Sequence, residues 1–113
     1  MSKNKYHISQ QAIEDLDTIW MYTLNKWSRE QADRYYDSII AEIEFIASNY
    51  LIGKSAEQTR KNYRVAKIKS HLIFYRKVDH EVVEIIRVLH QRMDTKKRMK
   101  YKLHTITKRL LRR

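Results

Sequence analysis

The chain has 113 residues, 24 Lys and Arg against 13 Asp and Glu for a net charge of +11, and neither cysteine nor proline. That length sets one domain with a modest core. The missing cysteine excludes a disulfide framework and thiolate chemistry, and no apolar run approaches the ~18 residues that span a bilayer, so a soluble cytoplasmic protein without a membrane partner is expected.

The opening residues, MSKNKYHISQQ, lack the apolar core of a secretory signal. KYHIS, residues 5–9, alternates apolar and polar side chains over a length that suits a first strand. Ser9 then offers an N-cap, and Ala12, Ile13, Leu16, Ile19, Trp20, Thr23, Leu24 and Trp27 recur at helical spacing. Glu14, Asp15 and Asp17 stand in what should be the first turns, where the helix dipole favours negative charge. Ser28 with Gln31 reads as a capping box that starts a second helix, striped by Ala32, Tyr35, Tyr36, Ile39, Ile40, Ile43, Ile46, Ala47 and Tyr50. The two make a helical hairpin with an acidic outer surface, and Gly53 stops the second helix or sits just past it.

From Asn62 the period changes. YRVAKIK, HLIFYRKV and EVVEIIRVL are rich in β-branched and aromatic residues and are separated by turn-prone KS and DH. Strands joined by such short turns must run antiparallel, and the last reads as a central strand buried on both faces. Residues 96–113 hold 9 Lys and Arg and no Asp or Glu, whereas residues 1–50 hold 5 and 8 and residues 51–95 hold 10 and 5. The high charge thus belongs to a basic tail, 96–113, on a nearly neutral domain, 1–95. Met99, Leu103, Ile106 and Leu110 give the tail a weak helical stripe. Such a run is usually a solvated or loosely ordered arm; what it binds, nucleic acid or an anionic surface, it binds without specificity, and contacts to DNA fall steeply with salt. The expected class is α+β: an N-terminal strand, a helical hairpin, a three-stranded antiparallel sheet and a basic C-terminal helix or tail, in the order β-α-α-β-β-β.

Three sets of residues could carry chemistry. RVLHQRMD, residues 87–94, places His90 between Arg87 and Arg92. Cleaving RNA through its 2′-hydroxyl needs a base, an acid and a cation on the phosphate, and these side chains can fill such roles. In a regular strand, however, residue 87 faces away from residue 90, so the two converge only if the strand is bulged; otherwise His90 packs or hydrogen-bonds at the strand's end. Arg64, Lys67, Lys69, Arg76 and Lys77, with Tyr63, Phe74 and Tyr75 between them, form a second set. It suits phosphates and bases, the ordinary solvent face of a half-covered sheet, or an acidic partner segment. Trp20, Trp27, Tyr35 and Tyr36 have helical spacing and read as core or hairpin interface rather than a nucleotide platform. His7, His71 and His80 show no metal-ligand pairing and no Gly-rich phosphate loop exists, so no metal or cofactor is expected.

LDTIWMYT (16–23), WSREQADRYY (27–36), IGKS (52–55), HLIFYR (71–76) and EIIRVLHQRMD (84–94) together resemble the ParE-type toxins of the RelE/ParE toxin–antitoxin superfamily. The resemblance implies a chain that poisons DNA gyrase by trapping its cleavage complex, without nuclease activity of its own. It also implies neutralisation by a ParD-type antitoxin, with operator DNA bound only through the antitoxin complex. Arg87, His90, Arg92, Asp94, Lys96 and Lys97 are then the candidates for gyrase inhibition, and Arg64, Lys67, Phe74, Tyr75 and Arg76 for the antitoxin groove. The RelE branch cleaves mRNA on the ribosome with basic residues and a Tyr or His near the C-terminus. On that alternative His90 is the base and Arg64 or Arg76 holds the phosphate, although no tyrosine stands among His90–Met93. A toxin-fold relic that only binds antitoxin and co-represses its operon is a third expectation, and the tail lies outside the family pattern.

Overall fold

The computed structural model of the chain describes residues 5–93. β1 (Lys5–Ile8) leads through Ser9 into α1 (Gln10–Lys26), against which α2 (Arg29–Ser48) packs. A 3-10 turn (Tyr50–Ile52) precedes β2 (Lys54–Ser55), and β3 (Arg64–Ile68), β4 (His71–Lys77) and β5 (Val82–His90) follow. The basic tail, with its Met99, Leu103, Ile106 and Leu110 stripe, lies outside the described residues.

Both helices start where a side-chain oxygen can take an orphaned amide. Ser9 Oγ accepts from the Ala12 N–H at 3.0 Å, and Ser28 Oγ from the Gln31 N–H at 3.1 Å. The dipole role expected of Glu14, Asp15 and Asp17 is not met, because α1 begins at Gln10 and its first turn holds no acidic residue. Nor does Gly53 stop α2, which ends at Ser48, where the Asn49 side chain donates to the Phe45 carbonyl at 3.1 Å. Gly53 is needed for closeness instead: a Cβ there would stand 2.5 Å from Tyr75 Oη and 2.6 Å from the Val65 carbonyl oxygen. The buried Tyr75 hydroxyl accepts from the Gly53 N–H at 2.9 Å and donates to the Tyr50 carbonyl at 2.7 Å. It thereby ties the 3-10 turn to the sheet.

The sheet order is β1-β5-β4-β3-β2. β3, β4 and β5 are antiparallel, as their short turns require. The expected N-terminal strand joins these three, β1 pairing parallel with β5 from Lys5↔Val82 to Ile8↔Ile85, and a further strand, β2, adds a two-residue edge on β3. β5 is therefore flanked by strands at both edges, and the cores packed on its two faces account for its nearly unbroken apolar run. The helices cover one face, burying Leu16, Ile39, Ile43 and Ile46 against Ile73 and Ile85. On the other face Ala56 and Tyr63 pack on Phe74 and Leu89. Truncating any one of the three α2 isoleucines to alanine should cost about 2–5 kcal/mol.

Candidate functional site

The end of β5 is irregular, and the irregularity builds the site. β4 and β5 pair from His71↔His90 down to Phe74↔Arg87 and resume at Tyr75↔Ile85, which leaves Ile86 without a partner. One extra residue resets the alternation of faces. Ile85 and Val88 both enter the helix-side core, and Arg87 also reaches α1 on that side. The bulge is the departure from regular geometry that lets Arg87 and His90 share one face.

α1 staples this bulge in place. Ser9, already the helix cap, donates its hydroxyl to the Ile86 carbonyl at 2.8 Å. The Asp15 carboxylate accepts from Arg87 Nε at 2.8 Å, Arg87 Nη2 at 2.9 Å and the Val88 N–H at 2.9 Å. Arg87 is only 6% exposed. A buried ion pair offsets its desolvation only when geometry is good and the remaining lone pairs are engaged, and three donors on one carboxylate meet that condition.

A groove of about 760 Å³ opens between the turn of the helical hairpin, the β3–β4 turn and the end of β5. Ile19 and Tyr22 line it from α1, Trp27 from the turn that follows, Arg87 and Val88 from β5, and Lys69 and Arg92 are among its cations. Trp27 is 65% exposed, which corrects its reading as core or hairpin interface: it stands just past the end of α1. Trp20 does serve the hairpin interface, donating to Asp33 Oδ1 at 2.9 Å. Within the groove the Tyr35 hydroxyl bonds His71 Nδ1 at 2.6 Å, and the His71 and His90 rings meet edge to face at 5.2 Å. His90 Nδ1 in turn accepts from the Arg92 N–H at 3.1 Å. Burial, then the neighbouring His90, push His71 down to about 4, so near neutral pH its ring is uncharged. Lys69 lies in the two-residue β3–β4 turn with a left-handed φ of 52°, its Nζ 5.3 Å from the Tyr35 ring centroid.

As an acid–base centre the arrangement is incomplete. The Arg87 charge is balanced by Asp15, and His71 is a weak base. Arg64 donates to the Leu51 and Gly53 carbonyls, while Arg76 pairs with Glu84 at 2.9 Å; neither lines the groove that holds His90. Among the described residues no group of three or more acidic or histidine side chains is placed to hold a metal, and no helix is long and apolar enough to cross a membrane.

Residues 6–95 match the ParE toxin family, the toxin of the type II toxin–antitoxin system parDE. The chain belongs to that family. It is 43% identical over 91 residues to Toxin ParE1 of Caulobacter vibrioides, and 35% identical over 91 residues to Toxin ParE1 of Mycobacterium tuberculosis strain H37Rv. Both alignments cover 80% of this chain and 93% of the relative. A solved structure of the chromosomal ParDE TA system from P. aeruginosa shares the fold, with a TM-score of 0.66 at 16% identity over 76% of this chain and 94% of that one.

Within this ParE-family chain, Arg87, His90 and Arg92 come together in the groove, whereas Asp94, Lys96 and Lys97 lie outside the described residues. The second set does not form one surface. Lys67 and Arg76 are exposed, but Phe74 is 3% exposed beneath Tyr63 and Ala56, and Tyr75 has no exposed surface beneath the helices. The split is the ordinary alternation of a strand, since the neighbours Phe74 and Tyr75 point to opposite faces of the sheet and enter different cores. Phe74 and Tyr75 therefore offer no contact to a partner. Sequence reasoning missed Asp15 as a site residue, read Tyr35 as core or hairpin interface and Lys69 as part of the sheet's basic set, and gave His71 no role. The two-residue KS turn carried a usable signal, because it fixes Ile68 opposite His71 and so puts His71 at the groove end of the sheet.

Proposed function

We propose that the chain is the toxin of a two-component module, that it inhibits DNA gyrase by trapping the cleavage complex, and that a ParD-type antitoxin neutralises it. The match to the ParE family across residues 6–95 carries this reading, because it takes in both helices and, but for Lys5, the five strands of the described residues. The groove supports it: apolar walls with cations suit a protein partner, and the balanced Arg87 charge suits holding the strand end in shape rather than bond cleavage. On this reading the protein acts by binding in the cytoplasm, is not an enzyme, and reaches operator DNA only through the antitoxin complex. His90 and Arg92, with Asp94, Lys96 and Lys97 beyond them, form the inhibitory edge, and Arg87 positions it. Expression should arrest growth, co-expression of the antitoxin should restore it, and Arg92→Ala or truncation after Arg92 should weaken the arrest. A soluble truncation that arrests growth as fully as the full chain contradicts the assignment of that edge.

The Tyr35–His71–His90 cluster beside Lys69 favours one other reading, a ribosome-dependent mRNA endonuclease. It requires His90→Ala to abolish cleavage of translated message, and intact ribosome-bound mRNA in the presence of wild-type protein rejects it.

A further inference from the structure

The geometry points to the groove as the seat of an acidic, partly apolar peptide, with Arg87 Nη1 receiving a carboxylate of that peptide. The inference rests on the proposed antitoxin partnership for the peptide's source, and adds its chemistry and the residue that reads it. Arg87 Nε and Nη2 are taken by Asp15, but Nη1 is buried and meets no acceptor among the described residues. A buried charged donor left without a partner is costly, so an acceptor that reaches it gains more there than at the surface. Asp15 is the one acidic residue lining the groove among the described residues, and its carboxylate already takes three donors. Lys69 and Arg92 add positive charge, so the local balance favours an anion.

The walls select which anion. Tyr22, Trp27 and Met93 are 61%, 65% and 38% exposed and face the same space as the buried guanidinium. Large exposed apolar side chains around one buried cationic donor match a carboxylate flanked by apolar residues. A nucleic-acid strand matches less well, because its phosphates call for cations spaced along an open track with stacking faces between them. The chain's own residues 96–113 hold no Asp or Glu and repeat the groove's positive charge. The occupant is therefore a segment of another protein.

The test uses the full-length protein, labelled with nitrogen-15, and three probes: a short amidated leucine–glutamate peptide, its leucine–glutamine counterpart, and oligouridylate. The glutamate peptide should bind roughly tenfold or more tightly than the glutamine peptide, shifting the Arg87 guanidinium and Val88 amide signals. Arg87→Lys keeps a charge for Asp15 but loses the second guanidinium arm, and should erase the preference. Should that variant not fold, Lys69→Ala, whose side chain makes no hydrogen bond among the described residues, should weaken the glutamate peptide several-fold. Equal binding of the two peptides, unchanged glutamate affinity in a folded variant, or oligouridylate shifting these signals at lower concentration overturns the assignment. Gyrase trapping is read separately. A protein that takes the glutamate peptide but spares gyrase defeats only the toxin mechanism, and one that traps gyrase without preferring glutamate defeats only the groove assignment.

Discussion

Asp15→Ala removes the group on which the end of β5 depends. It deletes the acceptor of both Arg87 hydrogen bonds, at 2.8 and 2.9 Å, and of the Val88 N–H at 2.9 Å. Arg87 is left with a charge inside a side chain that is 7% exposed. Removing one partner of a buried pair costs about 3–5 kcal/mol, far above the ~1 kcal/mol ceiling of an exposed pair. At about 4 °C or more per kcal/mol for a domain of this size, the melting temperature should fall by roughly 12 °C or more. The assay is urea and thermal unfolding followed by circular dichroism. Because the cost is mostly an uncompensated charge, the double variant Asp15→Leu with Arg87→Met should recover most of the loss. A loss under about 1 kcal/mol, or a double variant no more stable than Asp15→Ala, would refute the view that this pair holds the bulge.

Three further changes test other parts of the fold. Gly53→Ala sets a Cβ 2.5 Å from Tyr75 Oη and 2.6 Å from the Val65 carbonyl oxygen, and should cost about 1–3 kcal/mol by urea titration; an unchanged midpoint contradicts the tight approach. His71 has a folded-state value of about 4 against an ordinary 6.5, so the unfolded chain takes up the proton first as pH falls. Its contribution to stability is present above about 6.5 and lost between there and about 4; His71→Gln should flatten the stability profile across that window, and an identical slope rejects the assignment. Lys69→Gly relieves a left-handed backbone at φ 52° and should raise stability by about 1 kcal/mol while weakening capture of the glutamate peptide; lower stability on unfolding would show that the turn is not strained.

The sequence disclosed what depends on neighbours along the chain. Ser9 and Ser28 mark helix starts because capping is local, and the short KS and DH turns force antiparallel pairing. Contacts between distant segments stayed hidden. β1 finds β5 across 77 positions, and Asp15 meets Arg87 across 72, which no periodicity encodes. The bulge at Ile86 was concealed by VVEIIRVL, where apolar side chains occupy both faces and a shifted register leaves no trace in the pattern. That one residue decides whether Arg87 faces His90, so the most informative candidates were named from the sequence while their convergence was not. Phe74 and Tyr75 failed as surface candidates for the related reason that a strand covered on both faces has no solvent side.

The central claim is that this ParE-family chain poisons gyrase by binding it. Folded protein is incubated with DNA gyrase and supercoiled plasmid at moderate salt, which suppresses non-specific contacts of the basic tail, and then treated with detergent and protease. The account predicts linearised plasmid that depends on both gyrase and the toxin and is lost when the antitoxin is added. Intact plasmid with unimpaired supercoiling, from protein shown to be folded, would contradict it.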